Sequence, residues 1–90
     1  MFAVYILYSD SFGKIYIGQT SSLIARFYSH NFLATKGWTI KFRPWTVVHV
    51  EFFELKKEAL KREAALKQAK GREWLWSEIR KTGFSGFISA

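Results

Sequence analysis

Phe2 to Thr20, FAVYILYSDSFGKIYIGQT, decides the fold of this chain. Phe2 to Tyr8 is apolar and rich in β-formers, Ser9-Asp10-Ser11-Phe12-Gly13 has turn composition, and Lys14 to Gly18 returns as a second strand. The stretch therefore predicts a hairpin whose loop is slightly longer than the tightest type. Alternation puts Ala3, Tyr5 and Leu7 on one face of the first strand, and Lys14, Tyr16 and Gly18 on one face of the second. Whether those two faces coincide depends on register. If they do, two phenol hydroxyls share one small sheet surface, where they could hold or deprotonate a water.

Outward from the hairpin, Thr20-Ser21-Ser22 offers an N-cap for a short helix from Leu23 to His30. A connection from Asn31 to Pro44 follows, long enough to suggest a functional loop with some structure of its own. Trp45 to Phe53 is β-branched and aromatic and reads as a third strand. Leu55 to Ala69 has strong helix-forming composition, with Gly71 as its C-cap, and Arg72 to Lys81 reads as a last helix with Trp74, Leu75 and Ile79 inward. Thr82 to Ala90 reads as a tail or a docking strand.

The 90 residues fit one domain, 1–90, and 49% hydrophobic with 19% aromatic content suits a packed globule. With no cysteine, disulfides, thiolate metal sites and cysteine nucleophiles are excluded. No apolar run approaches the ~20 residues that cross a bilayer, and the start lacks the basic region of a signal peptide. A soluble, cytoplasmic protein is expected. Fourteen Lys and Arg against seven Asp and Glu leave +7, a field that favours a polyanionic partner.

Several residues break the local pattern. Arg26 and His30 are four apart and border the Leu23–Phe27 stripe, as a cleft lining or as a solvated pair. On the later helix, Ala59, Leu60, Ala64 and Leu66 mark an apolar arc, and Glu63 falls inside it. A carboxylate there needs a metal, an open cleft, or a salt bridge to Arg26 or Lys67. Lys36, Trp38, Lys41, Phe42, Arg43 and Trp45 interleave cations and rings, which suits phosphate contact with base stacking. The alternative is that Trp38, Phe42 and Trp45 pack the connection down, and at Trp45 packing is the better reading. His49, flanked by Val48 and Val50, reads as structural.

Taken in order, these positions resemble the GIY-YIG nuclease superfamily, in particular its small single-domain bacterial members. Ala3-Val4-Tyr5 stands at the first triplet and Tyr16-Ile17-Gly18 matches the second. Leu23 to His30 matches the helix with arginine then histidine, and Glu58-Ala59-Leu60-Lys61-Arg62-Glu63 resembles the helix with the metal-binding glutamate. Ala3 and Val4 depart from the usual Gly-Ile, a change a strand accommodates. Some family sites are completed by an asparagine, for which Asn31 is the sole candidate.

The resemblance implies an α+β fold, a small three-stranded, mainly antiparallel sheet flanked by helices. It implies a DNA endonuclease, structure-selective and engaged in DNA repair or processing, with RNA left open as a substrate. Tyr5, Tyr16, Arg26, His30 and Glu63 would be catalytic, the two phenols projecting toward Glu63, which would hold Mg²⁺ or Mn²⁺. Arg26 would clamp a phosphate oxygen. Tyr5, Tyr16 and His30 would organise the attacking water, a role that needs positive charge to lower a phenol pKa of about 10. Lys14, Lys36, Trp38, Lys41, Arg43 and Lys67 would contact the nucleic acid. A catalytically weak nucleic-acid-binding module on the same scaffold is the first alternative, and an interaction protein with an incidental basic surface is the second.

Overall fold

Strand β1, Phe2–Ser9, is buried from Ala3 through Ser9 without alternation. That pattern belongs to a central strand covered on both faces. In the computed structural model, which describes residues 1–82 and 88–89, β1 lies between β2 (Lys14–Thr20) and β3 (Thr46–Phe53), antiparallel to both. A register shift opposite Ile6 and Leu7 kinks the β1–β3 ladder. Ile88–Ser89 forms β4, which pairs with Thr46 and Val47, so the sheet order is β2-β1-β3-β4. The docking-strand reading of the tail holds for those two residues, and the rest of that segment beyond Thr82 lies outside the described residues.

The helices cover the sheet from two sides. On one face Val4, Ile6, Tyr8, Ile15 and Ile17 pack against Ala59 and Leu66 of α2 (Lys56–Leu66) and Leu75 and Ile79 of α3 (Ala69–Thr82). On the other face Tyr5, Leu7 and Val47 pack against Trp45 and against Phe27 of α1 (Leu23–Tyr28). A π-helical turn, Ser29–Leu33, extends α1, and a 3₁₀ turn, Trp38–Phe42, gives the long connection its own structure. No helix among the described residues is long and apolar enough to cross a membrane.

Three local expectations are corrected. Ser22 precedes α1 without a side-chain cap; instead the Ser22 N–H donates to Thr20 Oγ1 at 3.0 Å, a turn stabilised by the neighbouring hydroxyl. Gly71 is not a C-cap but lies in the first turn of α3. A Cβ there would stand 2.5 Å from the Ala65 carbonyl oxygen and 2.6 Å from Leu66 Cα, so only glycine lets α3 cross the end of α2. Trp74, expected inward, is 39% exposed and packs edge-on against His49.

Candidate active site

The β1–β2 register sets Tyr5 opposite Gly18 and Leu7 opposite Tyr16. Directly opposed residues share a face, so both phenols stand on the α1 side of the sheet, ring centroids 6.1 Å apart. The glycine after Tyr16-Ile17 has a physical reason. A Cβ on Gly18 would lie 2.6 Å from the Tyr5 phenol oxygen and 3.0 Å from the Tyr16 ring. The Tyr5 ring lies across the bare backbone of its partner strand. Gly18→Ala is therefore expected to push that ring aside and to cost about 1–3 kcal/mol by overpacking, measurable by denaturant unfolding.

His30 comes from the π-helical turn, a geometry often found at functional sites. It is buried, not at a solvated rim. Its Nε2 lies 2.9 Å from the Tyr5 hydroxyl and its Nδ1 lies 3.0 Å from Thr39 Oγ1. Its ring centroid is 4.7 Å from that of Tyr16. Arg26 is exposed one turn earlier, and its guanidinium charge acts on the Tyr5 oxygen.

Electrostatics follow from this packing. Burial, helped by the charges of Arg26 and Arg43, lowers the His30 imidazole to about 4. Burial, then the neighbouring Tyr16, pushes the Tyr5 phenol up to about 12, against the opposing pull of Arg26. The hydrogen bond to Tyr5 is the first cause that raises Arg26. At neutral pH the site thus holds a neutral imidazole, a neutral Tyr5 phenol and a fixed guanidinium.

The depressed imidazole predicts acid sensitivity. Between 6.5, its ordinary value, and about 4, its folded value, the unfolded chain binds more protons. The stabilisation from keeping His30 neutral is complete above that window and is lost as pH falls through it, by roughly 3 kcal/mol. Urea unfolding at pH 7.5 and 4.5 should show the loss in the wild type and a weaker dependence in His30→Gln.

Polar contacts brace this wall. The Asn31 amide donates to the Trp45 carbonyl at 3.0 Å, and its oxygen accepts the Trp45 N–H at 2.6 Å. Asn31 is thus a buried clasp between the π turn and the residue that leads into β3, with both ends of its amide occupied. Arg43, expected to contact phosphate, spends Nε on the His30 carbonyl at 2.6 Å and one terminal nitrogen on the Ser29 and Ala34 carbonyls at 3.1 and 2.8 Å. It thereby ties the first turn of the π segment to its C-cap, the Ser29 carbonyl also accepting the Ala34 N–H at 2.9 Å. Trp45 is fully buried, and its indole N–H donates to the Thr39 carbonyl at 2.8 Å, as packing required.

In front of this wall is a cleft of about 220 Å³ lined by Tyr16, Arg26, His30, Lys36, Trp38 and Thr39, among others. Trp38 is 46% exposed and stacks on Tyr16 at 28° between ring planes. Lys14 lies over the Phe42 ring, which in turn packs on Trp38 at 4.7 Å. Lys36 and Lys41 are exposed on the same segment. Cations and rings therefore share one rim, as their interleaving suggested. Thr39 was missed: a threonine in an aromatic-basic stretch carries no sequence signal of a histidine partner nine residues away.

Glu63 stands apart from this group. It lies four residues after Ala59 and three before Leu66, the two buried residues of α2, so it is on the inward stripe with its side chain 19% exposed. Its carboxylate pairs with Lys67 at 3.1 Å, which realises one of the two salt bridges the sequence allowed. Because α2 packs on the Val4–Ile6–Tyr8 face, the tyrosines do not point toward its layer, contrary to expectation. No hydrogen bond or ion pair joins Glu63 to the tyrosine group among the described residues.

No set of three His, Cys, Asp or Glu that could hold a metal occurs among the described residues. His30 has both ring nitrogens engaged, and His49 and Arg62 are tied to Glu51, at 2.7 Å and by a two-pronged contact of 2.8 and 3.0 Å. A lone half-buried carboxylate does not fit zinc, which takes three or four protein ligands. It fits Mg²⁺, which keeps most of its waters and takes one or two carboxylates plus substrate phosphate oxygens.

No curated protein and no solved structure matches the chain significantly. The family model described as GIY-YIG catalytic domain matches residues 1–76. With the Tyr5–Tyr16 hairpin, the Arg26–His30 helix and the antiparallel sheet in family order, the chain belongs to the GIY-YIG nuclease family.

Proposed function

We propose that this protein is a metal-dependent endonuclease that hydrolyses DNA phosphodiester bonds at the Tyr16–Arg26–His30 cleft. The observation that carries the proposal is the meeting of Tyr5, Tyr16, Arg26 and His30 at one wall, with a basic and aromatic rim around it. Arg26, which lines the cleft, clamps a phosphate oxygen by charge-assisted hydrogen bonds. Lys14, Lys36 and Lys41 steer the backbone in, and Trp38 offers a ring for stacking.

Of the two phenols, Tyr5 has an imidazole to receive its proton. As the water oxygen bonds to phosphorus, its proton passes to the Tyr5 oxygen while the Tyr5 proton passes to His30 Nε2. The bond from phosphorus to the leaving oxygen breaks, solvent protonates that oxygen, and His30 later returns its proton to solvent. Bound phosphate pairs with Arg26 and so removes one of the charges that hold His30 neutral. Tyr16, against the His30 ring and lining the cleft, positions the water. Glu63 is the residue to hold Mg²⁺ or Mn²⁺, which when bound supplies charge neutralisation at the scissile phosphate and leaving oxygen.

A role in DNA repair or processing, with cleavage selective for DNA structure, is part of the proposal. The test is purified protein on branched, flapped, nicked and linear DNA, and on RNA, with Mg²⁺ or Mn²⁺. Arg26→Ala should lower cleavage about 10²- to 10³-fold while the fold persists, because Arg26 is exposed. Cleavage by that variant at the wild-type rate would remove the cleft from the mechanism. Salt-sensitive binding with no cleavage of any substrate would favour the binding-module alternative.

A further inference from the structure

We infer that Thr39 is a positioning residue that holds His30 in its Nδ1–H tautomer, leaving Nε2 free to receive the Tyr5 proton. Its consequence for catalysis rests on the nuclease reading, whereas the tautomer does not. The imidazole is held at both nitrogens, by the Tyr5 hydroxyl at 2.9 Å and by Thr39 Oγ1 at 3.0 Å. A hydroxyl can accept from an N–H or donate to a lone pair, so neither contact alone selects the tautomer.

The Tyr5 end makes the selection. A phenol is a far stronger acid than an aliphatic hydroxyl, so of the two hydroxyls that flank the ring Tyr5 is the better donor and Thr39 the better acceptor. The acceptor that the phenol meets is Nε2. Nε2 is then the lone-pair nitrogen, Nδ1 carries the hydrogen, and Thr39 Oγ1 accepts it. Both residues are buried, 5% exposed for His30 and 6% for Thr39, so solvent is a poor replacement for the threonine. A buried N–H without an acceptor is costly, and the ring would escape that cost by moving its hydrogen to Nε2. There the hydrogen would face the Tyr5 oxygen, and the phenol would lose its acceptor.

Thr39 is itself fixed for this task. Its carbonyl accepts the Trp45 indole N–H at 2.8 Å, and the Trp45 backbone is clasped by Asn31 at 2.6 and 3.0 Å. The chain Asn31–Trp45–Thr39–His30–Tyr5 links the π turn, the 3₁₀ turn, the entry to β3 and β1 through side-chain hydrogen bonds. In the hydrolytic step the Nδ1–H stays on Thr39 throughout, and only the Nε2 position gains and loses a proton. A metal on Glu63 has no part in that arrangement.

The test is nitrogen NMR of ¹⁵N-histidine-labelled protein at neutral pH without metal or nucleic acid, with His49→Gln to assign the two rings. The wild type should show His30 protonated on Nδ1 and not on Nε2. Thr39→Ser should preserve that signature, and Thr39→Val should move the hydrogen toward Nε2. In cleavage assays Thr39→Val should lower kcat roughly 5- to 150-fold with KM unchanged, and Thr39→Ser should restore it. A wild-type ring protonated on Nε2 overturns the inference without any variant, as does an unaltered tautomer in folded Thr39→Val. If the tautomer responds as expected but the wild type cuts no nucleic acid with Mg²⁺, Thr39 keeps its positioning role and the nuclease reading is the part that falls.

Discussion

Tyr5→Phe is expected to lower kcat for cleavage by about 10²- to 10⁴-fold, the range lost with a positioned base, with a small effect on KM. The phenol oxygen meets His30 Nε2 at 2.9 Å and feels the Arg26 charge. Phenylalanine keeps the ring that fills the space over Gly18, so the strand pairing and the hydrophobic contacts with Leu7, Phe27 and Trp45 should survive. What it leaves behind is a buried Nε2 without a partner, at a cost of about 1–3 kcal/mol in stability. Denaturant unfolding and single-turnover cleavage, measured side by side, separate the two effects. A folded Tyr5→Phe with wild-type kcat would move the base to Tyr16 or to solvent.

Glu63→Ala should reduce metal-supported cleavage by about 10³-fold or more, the rate equivalent of the several kcal/mol of charge neutralisation that a metal supplies. The fold should tolerate the change. Glu63 is partly exposed, and its ion pair with Lys67 is an i,i+4 surface contact worth about 0.3–0.5 kcal/mol. Calorimetric Mg²⁺ or Mn²⁺ titration in the presence of uncleaved DNA gives a readout independent of turnover, and the variant should lose the metal signal while DNA binding persists. This experiment bears directly on the placement of α2 behind the sheet. Retained metal binding in Glu63→Ala would mean that α2 is scaffold and the metal is held elsewhere.

Some of this site is legible in the residue order. Alternation in Phe2–Tyr8 and Lys14–Gly18 places each tyrosine on a strand face, and Arg26 and His30 four apart on a helix share a side. These are short-range consequences of periods of 2 and 3.6 residues. The same reasoning overreached at Arg43. A cation among aromatic residues looks like a phosphate ligand, yet the carbonyls of Ser29, His30 and Ala34, in and just after the π turn, claim it first. Asn31 shows the converse: its amide is consumed by one backbone partner, Trp45, fourteen residues on. Neither competition has a local signature.

By itself the sequence determined the hairpin, the helix-forming stretches, the basic charge and the identity of the chemical groups, since these rest on composition and on contacts between near neighbours. The tertiary structure decided the rest. It chose the register that puts Tyr5 opposite Gly18, where a slip of one residue would have sent the phenols to different faces. It buried His30 against a tyrosine twenty-five residues away and recruited Thr39 to its other nitrogen. It also set Glu63 on the layer behind the tyrosines. Hydrogen bonds and desolvation act through space, so the partners a side chain finds, and the proton it then holds, exist only once the layers have closed.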